Sequence, residues 1–151
     1  MVMIPRALSN LVDVCNACIL SCKRCIEAAD ECDKSSSSDE CESGREFFIE
    51  ASQQCIKDCE LCIKICEEMI IQFNNDKHMS ADDLEVLHRG VKTLGECVRI
   101  CKESLDRCER NVECKTASRA AGAICDDAIK ACDEWVELCE KHDSAHSARN
   151  L

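Results

Sequence analysis

Cys15, Cys18, Cys22 and Cys25 stand at offsets of three, four and three residues, and Cys55, Cys59, Cys62 and Cys66 repeat the spacing as four, three and four. On a helix such a row lies along one face. A face of thiols is a face of soft ligands. Soft ligands select soft ions: Cu(I) first in a cell, then Zn(II), with Cd(II) or Hg(II) as adventitious guests. The CxxxC pairs Cys18/Cys22, Cys55/Cys59, Cys62/Cys66 and Cys97/Cys101 each offer two sulfurs from adjacent turns. Two or three sulfurs are what Cu(I) accepts.

Helices must present those rows. The chain has one proline, four scattered glycines and long stretches of helix formers with apolar residues three and four apart, so it is all-α. A first helix starts near Pro5, a residue suited to a first turn, and runs to about Cys32. The Ser-rich tract of residues 33–43 is too polar to pack and is a loop. A second helix spans about Gly44 to Phe73. Ser80, followed three residues later by Asp83, marks the start of a third, which runs to about Val112. A short polar break from Glu113 to Thr116 precedes a fourth, about Ala117 to Lys141, and residues 142–151 read as a frayed tail. At 151 residues the chain makes one domain, residues 1–151. The architecture expected is an antiparallel four-helix bundle roughly 40 Å long at a rise of 1.5 Å per residue.

Heptads place the sulfur inside it. The a and d positions hold Cys15, Cys18, Cys22, Cys25, Ala29 and Cys32 in the first helix, and Phe48, Ser52, Cys55, Cys59, Cys62, Cys66, Met69 and Phe73 in the second. The third supplies Leu87, Leu94, Cys97, Cys101 and Cys108, and the fourth Ala121, Cys125, Ala128, Cys132, Trp135 and Cys139. Fifteen of the seventeen cysteines therefore face the bundle axis; Cys41 and Cys114 fall outside the heptads. The e positions carry branched aliphatics such as Ile19, Ile63, Val91, Val112 and Ile129, which complete a bundle-forming face beside the cysteines. The core is thus cysteine-lined.

Bland readings fit this pattern poorly. One buried cysteine is a small hydrophobe, but fifteen would sacrifice the packing that Leu or Ile provides. A disulfide scaffold fails because side chains at i and i+4 of a helix are nearly parallel and because seventeen is odd. Iron–sulfur ligation lacks its Cys-Pro ending or Gly-rich turns, and a structural zinc knuckle gathers four ligands at one point instead of spreading them over several turns. Charge then separates the metals. One Cu(I) per thiolate makes a neutral filling, whereas Zn(II) with four thiolates leaves two negative charges in an apolar interior.

These residues resemble the bacterial copper storage proteins, four-helix bundles whose inward cysteines bind many Cu(I) ions. The likeness spans nearly the whole chain and rests on CNACILSCKRC in the first helix, CIKDCELCIKIC in the second, CVRIC in the third and the row Cys125, Cys132 and Cys139 in the fourth. The resemblance, to the cytosolic branch, implies copper storage or detoxification in the cytoplasm, a homo-oligomer (a tetramer) and a copper chaperone or small-molecule thiol as donor. All seventeen cysteines, Cys41 and Cys114 included, are then candidate ligands for multiple Cu(I) ions. The family places His, with or without Met, near the connections where Cys41 and Cys114 stand here. His78, Met79, His88, His142 and His146 map to the opposite end.

The remaining classes are narrowed by composition. A net charge of −11 argues against nucleic acid and anionic membranes as partners, and the sequence shows neither an export signal nor a membrane span. No nucleophile–base arrangement, phosphate loop or carboxylate pair suggests an enzyme. The alternatives to copper storage are a zinc or other soft-metal buffer and a thiol redox protein, for which CxxC pairs are a known vehicle.

Overall fold

The computed structural model describes residues 3–34, 44–76 and 79–149, which form four helices: α1 (Met3–Lys34), α2 (Arg45–Asp76), α3 (Ala81–Glu109) and α4 (Cys114–Arg149). Each packs on two neighbours, α1 on α2, α2 on α3, α3 on α4 and α4 back on α1. Contacting residues show the directions. Between α1 and α2 they are Val14 with Cys62, Cys18 with Cys59 and Cys22 with Cys55; between α3 and α4, Asp83 with His142, Val86 with Trp135 and Ser104 with Ala117. As one number rises the other falls, so adjacent helices run antiparallel. None of the helices, among the described residues, is long and apolar enough to cross a membrane.

Local chemistry sets the ends. Ser80 caps α3: its hydroxyl accepts the Asp83 N–H at 3.1 Å, and Asp82 and Asp83 put negative charge in the first turn, where the helix dipole favours it. The other end of α3 closes in a Schellman turn. Asn111 takes a left-handed conformation (φ 54°), its N–H bonds the Cys108 carbonyl at 3.2 Å, and the Val112 N–H bonds the Arg107 carbonyl at 2.8 Å. The connection is therefore confined to Arg110–Glu113, and α4 begins at Cys114 instead of near Ala117. Val112, expected on the apolar face of the third helix, lies beyond its end and is 49% exposed. Residues 142–149, a tail by sequence, continue α4. Of the loop expected at 33–43, Asp33 and Lys34 end α1 and the rest, with Cys41, lies outside the described residues.

Two glycines permit close approaches. Gly44 adopts φ +82° just before α2, and a Cβ there would lie 3.2 Å from the backbone of Glu31 and Cys32. At Gly90 on α3 a Cβ would fall 2.3 Å from the Trp135 indole, so the ring fits only because the side chain is missing. Trp135 donates its indole N–H to the Val86 carbonyl at 3.3 Å. Around it Leu8, Leu11, Met69, Phe73 and Leu87 are fully buried, and together they seal the end of the bundle where α1 and α3 begin. All fifteen heptad cysteines are buried, none more than 1% exposed.

Candidate metal centre

Every helix sends sulfur to the axis. No disulfide joins any of the sixteen described cysteines, and all are buried. Their closest approaches run between helices: Cys18 to Cys59 at 3.4 Å, Cys22 to Cys55 at 3.5 Å, Cys55 to Cys125 at 3.7 Å, and Cys59 to Cys97 and Cys101 to Cys125 at 3.9 Å. These are van der Waals and S–H···S contacts, far longer than the roughly 2.05 Å of a disulfide. Within helices, Cys18/Cys22 and Cys55/Cys59 stand at 4.0 Å and Cys97/Cys101 at 3.9 Å. The fourth expected CxxxC pair divides. Cys62 donates to the Val14 carbonyl at 3.1 Å and gathers with Cys15 and Cys132, while Cys66 turns to the Leu87 carbonyl at 3.9 Å.

Three groups emerge whose sulfurs all lie within 4.8 Å of one another: Cys22, Cys55, Cys59 and Cys97; Cys25, Cys55, Cys101 and Cys125; and Cys15, Cys62 and Cys132. Each can hold a metal ion. Ala128, buried, separates Cys125 from Cys132 on the axis face of α4, and Leu94, also buried, precedes Cys97 on that of α3. No family model, curated protein or solved structure matches this chain. What the site can do is therefore a matter of its own geometry and charge.

The charge is unusual. Among the described residues Lys115, at the start of α4, is the only buried charged side chain, so the middle of the lane holds no cation to neutralise a thiolate. Burial accordingly holds protons on sulfur: it pushes the Cys66 thiol up, and it carries Cys139, with help from the Glu140 charge, up to about 12. Cys15 is also raised, first by its hydrogen bond with Cys132 and then by burial. Cys55 and Cys18 go the other way. Cys101, Cys125, Cys22 and Cys25 can all direct S–H groups at Cys55, and Cys132, Cys22, Cys59 and Cys62 at Cys18, so a charge left on either sulfur is solvated by thiols. A metal entering the lane meets preferred thiolates ringed by proton donors.

The other candidate residues lie outside the three groups. Cys108 donates to the Cys114 carbonyl at 3.6 Å across the α3–α4 turn, and Cys32 is buried at the end of α1. Cys114, left out of the heptads by sequence, occupies a core position as the first residue of α4. The signal was available, since it stands seven residues before Ala121. Cys66 and Cys139 lie near each other towards the ring-sealed end, close enough for the charge of one to raise the other. Met69 and Met79 are buried, His88 is exposed, and His142 Nε2 lies 2.9 Å from the Asp83 carboxylate. His78 and the side chain of His146 lie outside the described residues.

Proposed function

We propose that the protein stores Cu(I), holding many ions along its thiol lane, as its resemblance to the bacterial copper storage proteins suggests. The observation that carries this reading is a run of contacting, buried sulfurs with no cation in its midst. Once its thiols give up their protons, such an interior regains neutrality only through what it binds, and one Cu(I) per thiolate restores it without residual charge. Continuous sulfur contact from Cys18 to Cys125 also lets neighbouring ions share ligands, which isolated sites do not allow. A cytoplasmic setting, where thiols stay reduced, suits this chemistry. So does delivery by a copper chaperone or a small-molecule thiol. The reading assigns no catalytic step, and it carries the family's tetramer as a proposal.

Each bound ion displaces about one thiol proton, so uptake weakens as pH falls. The test is anaerobic titration of reduced protein with Cu(I) against a competing chelator. Loading on the order of 15 to 17 ions per chain is expected from one Cu(I) per thiolate, and saturation at one or two would overturn the proposal. A thiol redox role is disfavoured by burial, because exchange needs an accessible thiolate. Rapid turnover with peroxide or thioredoxin would restore it.

A further inference from the structure

Cys55 belongs to both four-sulfur groups. The geometry points to a two-ion centre for divalent soft cations such as Zn(II) or Cd(II), in which Cys55 bridges one ion held with Cys22, Cys59 and Cys97 and a second held with Cys25, Cys101 and Cys125. This rests on the lane being a metal site and adds a second class of cargo to it. A tetrahedral ion bonded to four sulfurs at about 2.3 Å sets sulfur–sulfur edges of about 3.8 Å. The contacts Cys22–Cys55 at 3.5 Å, Cys55–Cys59 at 4.0 Å and Cys59–Cys97 at 3.9 Å bracket that edge in the first group. Cys55–Cys125 at 3.7 Å and Cys101–Cys125 at 3.9 Å do so in the second.

The ligands also come from enough directions. The first group draws on α1, α2 and α3, and the second on all four helices, so the sulfurs surround a point instead of forming a row. Sharing Cys55 reduces charge. Seven thiol protons leave to solvent as two dications enter, and the centre carries three negative charges where two separate tetrathiolates would carry four. The Cys18 sulfur lies beside those ligands, 3.4 Å from Cys59 and 4.0 Å from Cys22. The Cys15, Cys62 and Cys132 group offers only three sulfurs and does not form such a site. Because charge remains, Cu(I), which fills the lane to neutrality, displaces the divalent ions.

Co(II) reports on this arrangement directly. Reduced, metal-free protein titrated with Co(II) should saturate at two ions per chain with the intense visible bands of tetrahedral cobalt thiolate. At saturation its electron paramagnetic resonance should be largely quenched, because a bridging thiolate couples the two ions. Cys101→Ser should keep one tetrathiolate ion and Cys55→Ser should abolish the coupling, each with helicity unchanged by circular dichroism. Absence of tetrahedral bands, a resonance equal to two independent ions, or coupling that survives Cys55→Ser would overturn the bridged centre. A parallel Cu(I) titration separates the two readings: copper loading to many ions without tetrahedral cobalt removes only the bridged centre, whereas copper saturation at one or two removes the storage reading.

Discussion

The two halves of the bundle interior are built on opposite logics. Towards the start of α1 and α3, the axis is filled by Leu8, Leu11, Met69, Phe73, Leu87 and Trp135, all fully buried. From the level of Cys15 to that of Cys125 the axis positions hold mostly sulfur, with Leu94 the largest side chain among them, and beyond that level the fully buried Phe48 at the start of α2 fills the axis. Rings and branched aliphatics remove far more apolar surface from water than thiols do. One half thus supplies packing and the other supplies ligands, so stability and loading can be changed separately.

The largest effect expected is alkaline lability of the metal-free lane. Cys15, Cys66 and Cys139 have raised pKa values in the folded chain, so their contribution to stability is complete below the ordinary thiol value of 9.0 and is lost as pH rises from there towards the folded values. Each removes about 1.4 kcal/mol per pH unit in that window, or about 4 kcal/mol per unit for the three. Denaturant midpoints of metal-free protein should fall steeply above pH 9, while the copper-loaded protein, its thiols already deprotonated, should show no such fall. A flat metal-free profile to pH 10.5 would break the contrast between the halves.

Next in size is Trp135→Ala. Removing the ring should lower the unfolding free energy by about 3–5 kcal/mol and leave the number of Cu(I) ions bound by folded protein unchanged. A proportionate loss of copper would show that the sealed end also serves the lane. The smallest effect concerns Asp83, on the polar rim of that end. Burial alone would raise its carboxyl pKa, but hydrogen bonds with His142 and Ser80 and the charge of Lys141 outweigh this and lower it. Its contribution is therefore present above the ordinary value of 3.8 and lost as pH falls through the folded value. Asp83→Asn should lower stability at pH 7 by less than about 1 kcal/mol, a difference that should vanish well below pH 3.8 in matched denaturation curves.

Sequence periodicity carried the fold and the inward rows, because a three–four spacing leaves a helix only one face to bury. Every a and d residue it assigned is buried, Ala29 being the most exposed at 4%. It did not carry the grouping of sulfurs. Which thiols meet depends on how far each helix is shifted along its neighbours, and that offset is set by fits such as Trp135 against Gly90 and Gly44 against the end of α1. Hence Cys62 and Cys66, equivalent by spacing to Cys55 and Cys59, separate to different levels. The start of α4 was hidden for a local reason. Asn111 and Glu113 both take positive φ, so the four residues Arg110–Glu113 complete the reversal three positions earlier than the polar break at Glu113–Thr116 suggested.

Trp135 is the chain's sole tryptophan, and there is no tyrosine. Ultraviolet emission therefore arises from one indole, locked against Gly90 and lying within a helical turn of Cys132 and Cys139. The protein carries its own optical gauge at a single position, and light from it reports events at that end of the sulfur column while remaining blind to the other.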